Sequence, residues 1–318
     1  RLFNYLKDNW EVAQSVQRFV PWVRSPQDLQ KLLDIYLVQQ TAKRMLRYHW
    51  YTGEMNMARL ATVVGDTSIT DPWMQFLFTR TFVYPFPVSG LPDLMVSGCT
   101  REGTEYVAST AYAAGENALP KATGLVEYLE AGGNPLFDLS DAARYPKPVS
   151  TCYWLMECLI GGLNDIRIGD VCGPDKYYGR AFKQLDEASY WGWRWTKDPR
   201  FAFLRKHYFG RKDFSDADWA AIEKAAAGVA RAPWLDMPSR VLPQWAAILE
   251  SGRRHDDYRF RRALFLRSGM GWGHHHNDGL DLQIYMHGVM MTCDAGQRPG
   301  YSRPADRATR MHNLVEVD

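Results

Sequence analysis

Residues 280–286 read Leu-Asp-Leu-Gln-Ile-Tyr-Met, and every second residue is a large apolar one. Successive side chains of a β-strand point to opposite faces, so this alternation predicts a strand in a sheet with one dry face. His287-Gly288 separates it from the β-prone run 289–293, which predicts a hairpin turn. Two further β-prone runs, 241–249 and 263–267, precede it. The last part of the chain is therefore predicted to form an antiparallel sheet.

The first two thirds of the chain carry helical patterns. Apolar residues recur at helical spacing after Ser25-Pro26, a pair typical of a helix start, and again around residues 60–64 and 122–129. Ser215 and Asp218 resemble a capping box that opens another helix. The Pro/Gly-rich stretches between these segments are predicted to be long loops: 84–98 and 132–150.

Composition indicates a globular protein and excludes several other classes. The chain has 318 residues, 46% hydrophobic and 23% charged, with a formal net charge of +2. This is enough to bury the core of one large or two smaller domains. The scattered Lys and Arg residues argue against a nucleic-acid partner, and no apolar run approaches the roughly 20 residues of a membrane helix. The five cysteines show no CxxC pair and predict neither a cysteine zinc site nor a disulfide scaffold.

Five of the eight histidines lie between residues 274 and 312. Alternate residues of an extended segment face the same way, so His274, His276 and Asp278 can converge on one surface. Asp294 and His312 stand at the ends of neighbouring predicted strands, from which both can approach His276. Two imidazoles and one carboxylate are a common ligand set for zinc. A solvated loop and a purification remnant are the alternative interpretations of the histidine triplet.

The C-terminal part of the sequence resembles the heparinase II/III and oligoalginate lyase families. It shares an ordered series of elements with them: Leu264–Gly269, His274-x-His276-x-Asp278, Asp294–Gly296, Tyr301 and His312–Asp318. The resemblance implies an α+β multidomain protein. Residues 1–235 are expected to form an α/α toroid, here incomplete, as the catalytic domain. Residues 236–318 are expected to form the first strands of an antiparallel β-sandwich that continues beyond the last residue.

Three upstream segments follow the order of the family's active-site segments: Gly53–Asn56, Ser97–Tyr106 and Arg167–Asp170. By this resemblance, Asn56 and His274 neutralise the carboxylate of a uronate, and Tyr106 is the catalytic base and acid, with Tyr112 as the alternative. Many relatives place a histidine directly after the asparagine. This chain has Met57 there, which removes one candidate base and strengthens the assignment of Tyr106 as the base.

The resemblance also implies a metal site and further contacts to the substrate. Zinc is expected to be held by His276, Asp294 and His312, as an ion that fixes the sheet rather than one that activates water. Substrate contacts are expected from a mixed set of charged and aromatic side chains: Arg101, Glu102, Tyr301 and Arg303. Arginine suits bidentate recognition of a carboxylate or sulfate, although surface solubility also explains Arg303.

The implied function is that of a zinc-containing polysaccharide lyase that cleaves uronate-containing glycans by β-elimination. Its partner is an anionic uronate polysaccharide or oligosaccharide, its expected location is periplasmic or extracellular, and a homo-oligomer is left open. The alternatives are an α/α-toroid glycoside hydrolase, a zinc hydrolase, and a non-catalytic carbohydrate-binding protein with a structural zinc. Glu102 and Glu105 offer carboxylates for hydrolysis, but three residues apart on one segment they cannot easily flank a sugar.

Overall fold

The computed structural model combines helices with antiparallel sheet. It describes residues 8–10, 21–32, 50–79, 81–83, 86–88, 90–104, 118–161, 164–169, 181–233, 237–243, 245–252, 255, 257–268, 276–292, 308–309 and 312–313. The predicted helix start at Ser25 is confirmed, because residues 26–32 are helical and the Ser25 hydroxyl accepts the amide of Asp28 at 3.1 Å.

The chain forms two compact units. The first comprises Arg1–Gly98 with Pro120–Tyr145, and the second comprises Cys99–Leu119 with Pro146–Asp318. The predicted division into a toroid over residues 1–235 and a sandwich over residues 236–318 stays a prediction.

In its described residues, the first unit is mainly helical. Its longer helices are α1 (Trp50–Val64), α2 (Thr67–Phe78) and most of α3 (Ala118–Glu130), and a hairpin joins β1 (Thr81–Val83) to β2 (Phe86–Val88). The Asp66 carboxylate caps α2 by accepting the amide of Ser68 at 3.0 Å. The predicted loop 84–98 instead contains β2 and a helical turn from Leu91 to Gly98, since a proline at position 92 suits the first turn of a helix.

Four α-helices are described in the second unit. They are α4 (Lys147–Glu157), α5 (Ala181–Thr196), α6 (Pro199–Leu204) and α7 (Asp216–Ala227). The predicted cap of α7 is confirmed, because the Ser215 hydroxyl accepts the amide of Asp218 at 3.1 Å. Among the described residues, no helix combines the length and the apolar character that crossing a membrane requires.

The described part of the second unit also contains a five-stranded antiparallel sheet. Its strands follow chain order: β5 (Arg240–Leu242), β6 (Ala246–Ser251), β7 (Arg262–Arg267), β8 (Leu282–Met286) and β9 (Val289–Thr292). The predicted sheet is therefore confirmed, and so is the turn at His287-Gly288, where both residues have positive φ, 56° and 82°. The run 241–249 is two strands rather than one, because Pro243 has no amide hydrogen for the ladder and the chain turns there.

The alternating apolar residues of β8 were predicted to form its buried face, but the structure buries the residues between them. Gln283 and Tyr285 are 0% and 2% exposed, whereas the alternating Leu282, Ile284 and Met286 are only half-buried on the outer face. The amide of Gln283 explains this reversal. Its nitrogen donates to the carbonyl of Arg167 at 2.5 Å, and its oxygen accepts the Arg167 amide at 3.1 Å. Both polar atoms of this buried side chain are therefore hydrogen-bonded.

Tyr285 packs against a short hairpin that follows α4. The hairpin joins β3 (Leu159–Ile160) to β4 (Asn164–Asp165), and Gly161 lies in its turn with φ +55°. A Cβ atom on Gly161 would lie 2.1 Å from a ring carbon of Tyr285. Glycine is therefore required both for the backbone conformation and for the close approach of the ring.

We expect Gln283→Leu to lower the free energy of unfolding by about 2–4 kcal/mol, because it removes the two hydrogen bonds that Gln283 makes with the buried backbone of Arg167. Urea unfolding followed by tryptophan fluorescence measures the change. Val289→Thr, at a position 53% exposed on β9, is the matched control and should change stability by less than about 0.5 kcal/mol. Equal effects of the two substitutions would show that the Gln283 pairing does not hold the sheet.

Candidate functional site

Several predicted site residues lie outside the described part of the chain: Tyr106, Tyr112, His274, Asp294, Tyr301 and Arg303. Asn56 lies within α1, and its backbone alone is described. The predicted roles of these residues in catalysis, substrate binding and metal binding stay predictions.

Two of the three predicted zinc ligands lie side by side. The rings of His276 and His312 have centroids 5.2 Å apart and are inclined by 48°, and the residues are only 4% and 8% exposed. Backbone hydrogen bonds fix this approach, because Leu282 donates to the carbonyl of Asn313 at 3.2 Å and Asn313 donates to the Asp281 carboxylate at 2.9 Å. His312 is thus held beside the chain segment that enters β8.

His276 and Asp278 are both buried with the exposed Asn277 between them, as the predicted alternation requires, but among the described residues Asp278 does not join the two histidines as a third metal ligand. The strand begins only at Leu282, and a turn precedes it in which Asp281 donates to the carbonyl of Asp278 at 3.0 Å. The Asp278 carboxylate, 1% exposed, instead pairs with the guanidinium of Arg267 and accepts the amide of Gly169 at 3.0 Å. This carboxylate therefore joins the sheet to the segment after β4.

The donor chemistry of the histidine pair suits zinc, which binds imidazole nitrogen readily. Two closely spaced, buried imidazoles supply two such donors. Within the described ranges, no group of three or more His, Cys, Asp or Glu side chains is arranged to hold a metal ion. A third ligand would thus have to come from elsewhere, and Asp294 is the residue that the sequence predicts.

A cavity of about 590 Å³ opens in the second unit. We refer to it as the α4 cavity, because four of its lining residues come from that helix. Seven polar or aromatic side chains line it: Arg101, Glu102, Ser150, Tyr153, Trp154, Glu157 and Arg200. Two predicted substrate-binding residues, Arg101 and Glu102, therefore share one cavity. Its volume lies within the range of typical small-molecule sites.

Sequence reasoning missed Tyr153, Glu157 and Arg200. One local signal points to Glu157, the last residue of α4, because the carbonyl end of a helix disfavours a negative charge. Tyr153 lies one turn earlier on the same helix face. Its hydroxyl donates to the Asp198 carboxylate at 3.0 Å, and Arg200 also binds that carboxylate, with its closest nitrogen at 2.7 Å.

Burial raises the pKa of the Glu157 carboxyl, and repulsion from Glu102 raises it further. The positive charges of Arg240 and Arg200 oppose this rise without cancelling it. The guanidinium of Arg240 donates to the backbone carbonyls of Glu157 and Leu159, at 2.7 and 2.6 Å, so it binds the end of the helix. Glu157 therefore holds a proton more tightly than an exposed glutamate does.

Neither the family models nor the curated protein sequences contain a match to this chain. A solved structure described as a heparinase III gene product with methylated lysines is similar to it, with a TM-score of 0.55 and 12% sequence identity over 96% of this chain. The fold is heparinase-like. The chain spans 42% of the length of that heparinase III chain, and at this identity the likeness shows the fold alone. The predicted α+β class and the resemblance are confirmed at that level.

The raised pKa of Glu157 predicts a pH-dependent effect of Glu157→Gln on stability. A carboxyl whose pKa is higher in the folded state stabilises the fold only when protonated, so this contribution is lost as the pH rises from about 4.3 through the folded value. Glu157→Gln should be more stable than the wild type at pH 8, and the difference should shrink towards pH 4.

Thermal unfolding across this pH range provides the measurement, with Glu223→Gln on the exposed face of α7 as the control. The control should follow the wild type at every pH. A wild-type protein that is more stable than Glu157→Gln at pH 8 would contradict the raised pKa.

Proposed function

We propose that this chain is a polysaccharide lyase that cleaves uronate-containing glycans by β-elimination. The observation that carries the proposal is the heparinase-like fold, because the similarity extends over 96% of this chain and so includes both its helices and its sheet. The substrate is an anionic uronate polysaccharide or oligosaccharide, and a periplasmic or extracellular location belongs to the same proposal.

In this proposal the helices belong to an α/α toroid, and the five-stranded sheet is one layer of a β-sandwich. The outer face of the sheet supports the second part. Val241, Leu249 and Val289, on three different strands, are 67%, 57% and 53% exposed, and apart from the exposed Arg262 the outward residues of β7 and β8 between them are leucines, isoleucine and methionine. An apolar sheet face of this kind is typical of the inner surface of a sandwich.

Elimination requires removal of the proton at C5 of the uronate and loss of the oxygen at C4. The sugar carboxylate resists the negative charge that develops beside it, so groups that donate hydrogen bonds to the carboxylate lower the barrier. The proposal gives this role to Asn56 and His274. Asparagine suits it because the amide donates without carrying a charge.

Tyr106 is the proposed base and acid. A tyrosine has an unperturbed pKa of about 10, so a base at neutral pH needs a nearby positive charge that stabilises the phenolate. Arg101, five residues earlier, is the proposed source of that charge. Tyr112 is the alternative base in the same segment.

Elimination leaves a conjugated C4–C5 double bond that absorbs ultraviolet light, and hydrolysis does not. We expect this absorbance to rise when the protein acts on one of alginate, heparan sulfate, chondroitin, hyaluronan or glucuronan. Tyr106→Phe should reduce the rate about a hundredfold or more, whereas Tyr112→Phe should retain most of it. New reducing ends without the absorbance would identify a hydrolase, and binding without turnover would identify a carbohydrate-binding protein.

Zinc, held by His276, Asp294 and His312, is the proposed cofactor. A bound zinc ion would supply cross-linking of the sheet, as structural metals do. The burial of both histidines and the 5.2 Å separation of their rings support this assignment.

We expect the purified protein to contain about one zinc ion per chain, measured by plasma mass spectrometry. His276→Ala and His312→Ala should each lose most of the metal and lower the melting temperature by several degrees. His207→Ala, at an exposed position of the same unit, is the matched control and should keep the metal. Zinc-free wild-type protein with an unchanged melting temperature would contradict the assignment.

A further inference from the structure

Arg200, in the wall of the α4 cavity, is held in place by two neighbouring side chains. Its Nε and Nη2 atoms donate to the Asp198 carboxylate at 3.1 and 2.7 Å. Its guanidinium also lies over the ring of Tyr153, with the central carbon 4.9 Å from the ring centroid. Because Tyr153 donates to the same carboxylate at 3.0 Å, Asp198 is already occupied, and its side chain is only 16% exposed. The pairing leaves Nη1 of Arg200 as the nitrogen that can donate to a ligand.

A second aspartate–arginine pair shows that such pairing by itself does not make a site. Asp257 and Arg259 have the same spacing, and Arg259 donates to the Asp257 carboxylate through the same two nitrogens, at 2.9 and 2.5 Å. The Arg259 side chain is 77% exposed, and of the two arginines Arg200 alone lines the cavity. Arg200 differs from Arg259 in the aromatic ring beneath its guanidinium and in its place in the cavity wall.

The charged groups that a ligand would meet in this cavity are mainly positive. Arg101 is exposed and the Arg200 side chain is 43% exposed, and both line the cavity. The two carboxylate oxygens of Glu102 are buried away from water. Burial raises the pKa of Glu157, so this acid gives up its proton less readily than an exposed glutamate does. The cavity therefore favours a ligand with an anionic group, to which arginine donates strong hydrogen bonds.

We propose that Arg200 is a specificity-determining residue that binds an acidic group, a carboxylate or a sulfate, on the sugar next to the uronate that is cleaved. Arginine suits such oxyanions because its planar guanidinium presents N–H groups in a fixed geometry. Asp198 and Tyr153 already hold this guanidinium, so little side-chain entropy is lost on binding.

The inference rests on the proposed lyase function and adds a second acidic group to its substrate. In that proposal, Asn56 and His274 bind the carboxylate of the cleaved uronate, so Arg200 remains available for a different group. Val241, Leu242 and Pro243 line the same cavity and give the body of the neighbouring sugar an apolar wall.

This role of Arg200 narrows the class of substrate. Alginate and glucuronan carry a carboxylate on every sugar, and heparan sulfate carries sulfate groups beside its uronates. Hyaluronan alternates its uronate with an uncharged sugar and offers Arg200 no second acidic group. Substrates of the first kind should therefore be preferred over hyaluronan.

The test compares three monosaccharides with the same ring: glucuronate, glucose 6-sulfate and neutral glucose. Saturation-transfer NMR titrations with the whole chain at pH 7 give their affinities. Arg200→Gln removes the guanidinium, and Arg200→Lys keeps the charge without the planar fork. Arg259→Gln is the matched control, because it breaks the same kind of aspartate–arginine pair away from the cavity.

We expect at least one of the two anions to bind with a Kd of the order of millimolar and glucose to bind at least about tenfold more weakly. Arg200→Gln should weaken binding of that anion about tenfold without changing glucose, and Arg200→Lys should weaken it about threefold or more. Arg259→Gln should bind like the wild type. The anion that binds more tightly identifies carboxylate or sulfate as the recognised group.

In the elimination assay, Arg200→Gln should raise KM for alginate, glucuronan or heparan sulfate about tenfold with little change in kcat. Its KM for hyaluronan should stay at the wild-type value. A purely structural role of Arg200 would instead change all substrates alike.

Three results would overturn the inference: equal affinity for glucose and both anions, no binding of either anion to the folded wild type, or wild-type affinity in Arg200→Gln. Should thermal unfolding show that Arg200→Gln does not fold, wild-type affinity in Arg200→Lys would overturn it. Elimination with an unchanged KM in Arg200→Gln would contradict this inference and leave the lyase proposal standing. Anion binding that depends on Arg200, without elimination on any polymer, would contradict the lyase proposal and leave an acidic-sugar site at Arg200.

Discussion

Burial of polar groups on the inner face of the sheet is the constraint on which the second unit depends. Gln283 is 0% exposed and exchanges two hydrogen bonds with the backbone of Arg167, and Asp278 accepts the amide of Gly169 while pairing with Arg267. The contacts with Arg167 and Gly169 join residues more than 100 positions apart in sequence. Because a buried polar group without its partner is costly, the sheet can dock in one register only.

This docking determines which side chains lie on the outer face of the sheet. With Gln283 and Tyr285 turned inward, the alternation of β8 turns Leu282, Ile284 and Met286 outward. A one-residue slip would bury these apolar side chains but would expose the polar ones and break the pairing with Arg167. The fold therefore favours specific polar contacts on one side and leaves an apolar surface on the other, which is the pattern expected when a sheet has a further layer to bind.

The sequence predicts local features well and long-range ones poorly. The caps at Ser25 and Ser215 depend on residues three positions away, and the turn at His287-Gly288 needs only its own backbone preferences. The inward direction of Gln283 could not be predicted, because its partner lies 116 residues away. Likewise, the sequence predicted Glu102 as a substrate contact but gave no reason to associate it with Glu157 of a separate helix.

The surroundings of Glu157 disfavour an ionised carboxylate. It ends α4, so the helix dipole disfavours its charge, and burial adds to that effect. The charge of Arg240 favours the ionised form, yet its nitrogens donate to the carbonyls of Glu157 and Leu159 and to the Glu250 carboxylate. A glutamine at this position would avoid the electrostatic penalty while keeping the shape. A carboxyl held at a cost inside a cavity is typical of a functional site rather than of a folding contact, because perturbed acids concentrate at such sites.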